Sequence, residues 1–216
     1  MNNLNIQSYW EEIKKTLDPI QKQAGNLGYY VFQTQYKFKP DLLLVGINPG
    51  GDYDGGASFL ERDTNWYTDC KKDPDASCDF NETICTLFGY GTNEKLWQLL
   101  ENAVGMNTIF FNTGSVEKLK NLSVAKSIES ACVKFTRVLV DTYIQPKQIV
   151  AMGIDPFNCL KNKPVEMLKL GAVQVKKSYR GDIPIYYIPN PSRITQHLYA
   201  NGKMEQYRQI LEKELC

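Results

Sequence analysis

"DLLLVGINPGG", residues 41–51, sets an apolar run against an asparagine, a proline and two glycines. Leu42, Leu43, Leu44 and Val45 show no polar alternation, so the segment reads as a strand buried on both faces. Asn48-Pro49 then turns the chain, and Gly50 and Gly51 permit positive φ and close approach of a ligand to the backbone. Taken alone, the Asn-Pro-Gly step is an Asx-type turn.

The theme of apolar strand, loop and helix recurs outward from there. "NTIFFNT" (107–113), "QIVAMGI" (148–154) and "IPIYYIPN" (183–190) read as the second, third and fourth strands. A helix around Glu94–Ala103 precedes the second strand. A long amphipathic helix with Val124, Ile128, Cys132, Phe135 and Leu139 on one stripe precedes the third. A last helix over Lys203–Leu215 presents Met204, Tyr207, Leu211 and Leu215 on one face. At the other end, Ser8 and Glu11 make a capping-box pattern, and Trp10, Ile13 and Leu17 follow at helical spacing. Asp18-Pro19 is expected to restart or bend that helix, which ends by Gly25. "YYVFQTQY" (29–36) reads as a short strand or edge segment.

Buried strands alternating with helices predict an α/β fold around a parallel sheet, and such sheets bind ligands where their strands end. The loops expected there begin with Asn48-Pro49-Gly50, Asn112-Thr113-Gly114, Gly153-Ile154-Asp155 and Asn190-Pro191-Ser192. Three of the four start on asparagine. A neutral amide carries two donor hydrogens and an acceptor oxygen, which suits reading a planar polar molecule or holding one water. It cannot serve as a strong base near neutral pH.

Length is consistent with one domain, 1–216, carrying a long insert at about 51–92. The insert is rich in Gly, Asp and Cys and weakly periodic, and it holds Tyr53, Phe59, Trp66 and Tyr67. It reads either as a flap over the strand ends with short helix inside, or as a partly folded surface excursion. Hydrophobic content of 43% with 12% aromatic residues fits a substantial core. No apolar run reaches the roughly 18 residues of a membrane span. "MNNLNIQSYWEEIKK" lacks the charged-then-apolar order of a signal peptide, so a cytoplasmic protein is expected. The 25 basic and 24 acidic residues argue against a nucleic-acid-coating protein, while leaving room for a local basic face. Six cysteines without a C-x-x-C pair read as reduced, mostly structural thiols, and no metal or cofactor is expected.

"GINPG" (46–50), "FFNT" (110–113) and "NPSRIT" (190–195), in this order, resemble the uracil-DNA glycosylase superfamily, nearest to its mismatch-specific class. The motifs amount to about 15 residues, in a strand context running from Asp41 to Thr195. The resemblance implies a three-layer α/β/α sandwich with a central four-stranded parallel sheet. It also implies a monomeric DNA-repair glycosylase that flips uracil, or a related deaminated or mismatched base, out of DNA and hydrolyses its N-glycosidic bond. Carried over by position, Asn48 would hold the attacking water, and Gly46 and Ile47 would floor the pocket. Asn112 would read the base edge, and Asn190 would lie near the base O2 as charge develops. Phe59, or else Tyr53, would stack on the base. Ser192 would contact a phosphate, Arg193 a phosphate or base, and Ile194 would wedge into the gap left by the extruded nucleotide. His197, the only histidine, is either structural or solvent-exposed, or a phosphate contact, or a stand-in for the histidine of the family's last motif.

The chain departs from the fast classes of that superfamily, which carry aspartate in the first motif and histidine in the last. Amides at both places imply a slow enzyme or a different base. The acidic pair in "DYDGG" (52–56) sits awkwardly on a duplex-facing surface. That feature suits the alternative, a divergent member that binds a nucleobase or nucleotide-like ligand without cleaving DNA. Lys118, Lys120, Lys176, Lys177 and Arg180 read either as a basic rim or as ordinary surface charge.

Overall fold

The run at 42–45 forms the strand around which the sheet is built. A computed structural model describes residues 5–49, 56–60, 65–72, 78–191 and 202–216. In chain order the first half comprises α1 (Ile6–Gln23), β1 (Tyr29–Phe32), β2 (Leu43–Gly46), β3 (Ala57–Leu60), α2 (Trp66–Asp69), α3 (Asp79–Leu87), α4 (Glu94–Glu101) and β4 (Val104–Asn107). The second half comprises α5 (Val116–Lys120), α6 (Ala125–Val138), β5 (Ile149–Met152), α7 (Ile154–Leu160), β6 (Glu166–Leu170), β7 (Val173–Arg180), β8 (Ile183–Ile188) and α8 (Lys203–Leu215). A π-helical turn, Leu139–Ile144, extends α6. No helix among the described residues is long and apolar enough to cross a membrane.

The strands form one sheet in the order β3-β1-β4-β2-β5-β8-β7-β6. At its centre β4, β2, β5 and β8 run parallel, with Leu43 opposite Val104 on one side and Ile149 on the other. The expectation of a four-stranded sheet is corrected here, because four further strands flank this centre. β1 joins β4 antiparallel and carries β3 parallel to itself, while β7 and β6 continue antiparallel from β8. β1 is therefore interior rather than an edge.

Alternation along the central strands explains why their sequences look continuously apolar. Leu43 and Val45 face a core formed with α1, α6 and α7, where Ile13, Leu17, Phe135 and Phe157 are buried. Leu42 and Leu44 face the opposite core, formed with α3, α4 and α8, where Ile84, Leu96 and Leu211 are buried. Each face is covered by helices, so neither set of side chains reaches water.

Local details differ from the sequence expectation. α1 starts at Asn5, whose side chain accepts from the Gln7 N–H at 3.0 Å, and it runs through Pro19 without ending there. Asp18 accepts a hydrogen bond from the Tyr29 hydroxyl at 2.5 Å instead of capping a second helix. The second strand lies at Val104–Asn107, ending where "NTIFFNT" begins. Beyond Asn107, Thr108 and Ile109 donate to the carbonyls of Gly46 and Ile47 at 2.9 and 2.8 Å. Ile109, Phe110 and Phe111 then bury their side chains in the first core. Their apolarity reflects that burial and not membership of a strand. The 51–92 region contributes β3, α2 and α3, joining the sheet edge to the wall of the cleft described next.

Candidate functional site

β2 and β4 end side by side, with Gly46 opposite Asn107. A Cβ on Gly46 would collide with Asn107 Oδ1, so the absent side chain lets the amide lie across the strand end. Asn107 is buried, and its Nδ2 is sealed from solvent without a hydrogen-bond partner. Two residues past Gly46, Asn48 is fixed in orientation. Its Nδ2 donates to Pro49 O at 3.0 Å, Thr113 O at 3.1 Å and Thr113 Oγ1 at 2.9 Å. The Thr113 hydroxyl donates in turn to Ser115 O at 3.1 Å. With carbonyl acceptors on the nitrogen side, the amide cannot be reversed, and Asn48 Oδ1 is the atom left to accept from a ligand or water.

Asn48, Asn107 and Asn190 line one cleft of about 500 Å³ at the carboxyl end of the parallel centre. Gly46, Ile47 and Met152 also line it. Asn190 follows β8, with its Cβ close to the end of β5 at Gly153. The two asparagine loops at 48 and 190, distant in sequence, thus meet at the edge where open α/β sheets hold ligands.

One side of the cleft is aromatic. Trp66 and Phe80 line it, their ring centroids 5.5 Å apart and their planes 33° from parallel. Trp66 opens α2, which Asn65 caps by accepting from Tyr67 N–H. The Asn65 amide also donates to Leu100 O at 2.7 Å and Glu101 O at 3.0 Å, tying the wall to the end of α4. Asn81 Nδ2 donates to Trp66 O at 3.2 Å, which holds α3 against α2. Behind the wall, burial pushes the thiols of Cys70 and Cys85 up from their ordinary values. Their sulfurs lie 3.6 Å apart, and Cys85 contacts Tyr67 O.

Gln33, just past β1, completes the lining. Its N–H donates to Gly105 O at 2.8 Å, and its side-chain Oε1 accepts from the Tyr67 hydroxyl at 2.8 Å. Tyr67 is fully buried and lies over Gly105, where a Cβ would strike its ring.

Cys78 is the one titratable group among the described residues that line this cleft. The carboxylates of Glu117 and Asp155 and the Lys120 ammonium line an adjoining cleft of about 470 Å³, which shares Ile47, Val116, Met152 and Asn190 with the first. The arrangement can orient water and a planar polar ring and can place dipoles against developing charge. Among the described residues that line the first cleft there is no carboxylate or imidazole for proton transfer.

Of the residues expected at the site, Gly46, Ile47, Asn48 and Asn190 come together. Phe59 does not: it lies on β3 among Trp10 and Phe32, at centroid distances of 5.6 and 5.1 Å, in the core beneath α1. The aromatics on the cleft are Trp66 and Phe80. Asn112 does not reach the cleft either. It is buried beside the Tyr29–Phe111 bridge, its N–H donating to Gly28 O at 2.8 Å and its Oδ1 without a partner. The strand-end amide on the cleft is Asn107, because the strand ends five residues earlier than "FFNT" suggests. Tyr53, Ser192, Arg193, Ile194 and His197 lie outside the described residues. Gln33 carried no signal in the sequence, whereas Trp66 stood among the aromatics of the insert. The chain matches no protein-family model and no curated protein.

Proposed function

We propose that the cleft takes a nucleobase flipped out of DNA, uracil or a related deaminated or mismatched base, and that the protein hydrolyses its N-glycosidic bond. The observation that carries this reading is the convergence of Asn48, Asn107 and Asn190 with the Trp66–Phe80 wall on one cleft. The volume suits a planar ring with room for a sugar, and amides facing aromatics suit a polar heterocycle.

In this reading the base stacks on the aromatic wall, and Asn107 meets its polar edge. Asn48 Oδ1 accepts a hydrogen bond from the attacking water and so directs a lone pair at C1′. As the bond from C1′ to the base nitrogen breaks, its electrons pass to the base and the sugar becomes an oxocarbenium ion. That ion is electrophilic enough to take a neutral water, which gives its proton to solvent after the new C–O bond has formed, while the departing base anion takes a proton from solvent to leave as the neutral base. Asn190 stands on the side where the base anion develops, and an oriented amide dipole there lowers the barrier without titrating. With no carboxylate or imidazole among the described residues of the lining, the enzyme is expected to be slow.

A lining with no carboxylate or imidazole among the described residues also supports a second reading, in which the same cleft binds a nucleobase or nucleotide-like ligand and cuts nothing. Incubation with labelled single- and double-stranded DNA containing uracil, U·G or hypoxanthine, followed by detection of abasic sites, separates the two. Product with wild type and none with Asn48→Ala, DNA binding being kept, is the expected result. No product on any substrate would refute cleavage, and full activity in Asn48→Ala would refute the role of that amide.

A further inference from the structure

Behind the aromatic wall, two cysteines fifteen positions apart bring their sulfurs to 3.6 Å. Cys70 ends α2, and Cys85 sits within α3. Both thiols are turned to the same acceptor, Tyr67 O, at 3.8 and 3.2 Å, so both sulfurs converge on one spot. A disulfide holds its sulfurs about 2.0 Å apart, so a shift of about 1.6 Å, shared between the two side chains and their backbones, closes the bond. Cys85 is sealed from solvent, whereas Cys70 keeps 5% of its surface, which gives a small oxidant a point of entry. Burial pushes both thiols up, and the Lys71 ammonium, itself paired with Glu82, pulls against that shift at both sulfurs. The thiolate is the reactive form, so oxidation is slow at neutral pH and quickens as pH rises.

We infer that Cys70 and Cys85 are a reversible oxidation site, closed to a disulfide by a hydroperoxide, and that the bond clamps α2 to α3, the helices that carry Trp66 and Phe80. This holds whatever occupies the cleft. In the first step the Cys70 thiolate attacks the O–O bond, and its sulfur keeps one oxygen as a sulfenic acid. The other oxygen leaves and takes up the proton that Cys70 gave, as an alcohol, or as water when the oxidant is hydrogen peroxide. The Cys85 sulfur then displaces hydroxide from the Cys70 sulfur, and the hydroxide leaves as water with the Cys85 proton. Two thiols and one hydroperoxide thus become one disulfide, one alcohol and one water. A dithiol reverses the step by exchange, and is itself oxidised to its disulfide.

The test treats the full, folded, reduced chain with hydrogen peroxide, blocks the remaining thiols with iodoacetamide, and reads tryptic peptides by mass spectrometry together with Tm. The expected result is a link between Cys70 and Cys85 that dithiothreitol reverses, with Tm raised by about 6–12 °C, as closing a loop of this length supports. Cys85→Ser keeps a donor for Tyr67 O and should lose both the link and the gain in Tm. Cys78→Ser removes the exposed thiol at the start of α3 and should keep both, which separates the buried pair from a link between Cys70 and Cys78. If Cys85→Ser does not fold, the peptide map and Tm of Cys78→Ser decide. Thiols that stay free at every peroxide concentration the fold survives overturn the inference. So do oxidation that runs on to sulfinic acid without a link, and a link made to Cys78 instead. A Cys70–Cys85 link that leaves Tm unchanged overturns the clamp.

Discussion

Gly46→Ala isolates the contact on which the cleft is built. The new methyl would meet Asn107 Oδ1 in collision, Asn107 Cγ at 3.5 Å and Met152 Cε at 3.9 Å, so only the amide oxygen stands in its way. Crowding a buried, well-packed site costs about 1–3 kcal/mol. Replacing glycine within a strand returns about 0.5–1 kcal/mol through lost freedom of the unfolded chain. The net expectation is a destabilisation of about 1–2 kcal/mol, or a Tm lowered by about 2–8 °C for a domain of this size. The same methyl pushes the amide off the strand end, so base binding should fall more steeply than stability. The decisive assay is a double-mutant cycle by urea denaturation with Asn107→Ala. Once the amide is gone, the methyl faces only Met152 at an ordinary contact distance, and Gly46→Ala should become neutral or mildly stabilising. An equal loss in both backgrounds would mean that the glycine is needed for some other reason and would refute the argument.

Two further expectations follow from the titratable groups. Because no carboxylate or imidazole lines the cleft among the described residues, the rate of base release should show no bell-shaped profile between about pH 5 and 8, and such a profile would point to a carboxylate or histidine acting from elsewhere. Stability should decline in alkali. Burial pushes the Cys132 thiol up to about 12, and burial, with smaller contributions from its surroundings, takes the Tyr186 phenol up to about 12 as well. Both groups keep their protons in the folded state after the unfolded chain has begun to lose them, so their contribution is whole at neutral pH. It is lost as pH rises past about 9, where the unfolded thiol ionises first. Urea midpoints from pH 7 to 11 should show this fall, and Cys132→Val should make it shallower; an unchanged slope would exclude that thiol as a cause.

The sequence was most legible where burial and secondary structure coincide. β2 and β5 are buried on both faces at the centre of the sheet, β8 beside them is partly buried, and their apolar runs mark them nearly to the residue. The β6–β7 hairpin leaves no apolar signature in the sequence because Glu166, Lys169, Lys176 and Lys177 interrupt it, and β6 is largely exposed. β4 lies ahead of the stretch that most resembles a strand, because "IFFN" is more apolar than "VGMN". Gly105 belongs in that strand only because Tyr67 packs over it, a fact of tertiary structure with no local trace. At the site, the motif residues Asn48 and Asn190 could be found from strand-end position. Phe59 could not be told from Trp66 by spacing, since aromatics of the insert are divided between the core and the cleft. Gln33 joins the cleft lining through a tertiary contact with Tyr67, thirty-four positions away, which leaves no local trace.

The strand order also has a consequence for the sequence of events in folding. β6, β7 and β8 are consecutive neighbours joined by short turns at Gly171 and Gly181, whereas β2 must find β4 and β5 across long stretches of chain. Local pairings form faster than distant ones, so the C-terminal meander is expected to assemble first and the parallel centre to close later. Pulsed hydrogen exchange should then protect the amides of Val173–Ile188 before those of Leu43–Gly46, and the reverse order would contradict this. Because the cleft spans β2, β4 and the end of β8, it would come into being only with the last of these pairings. A ligand for it would bind only chains that have finished folding.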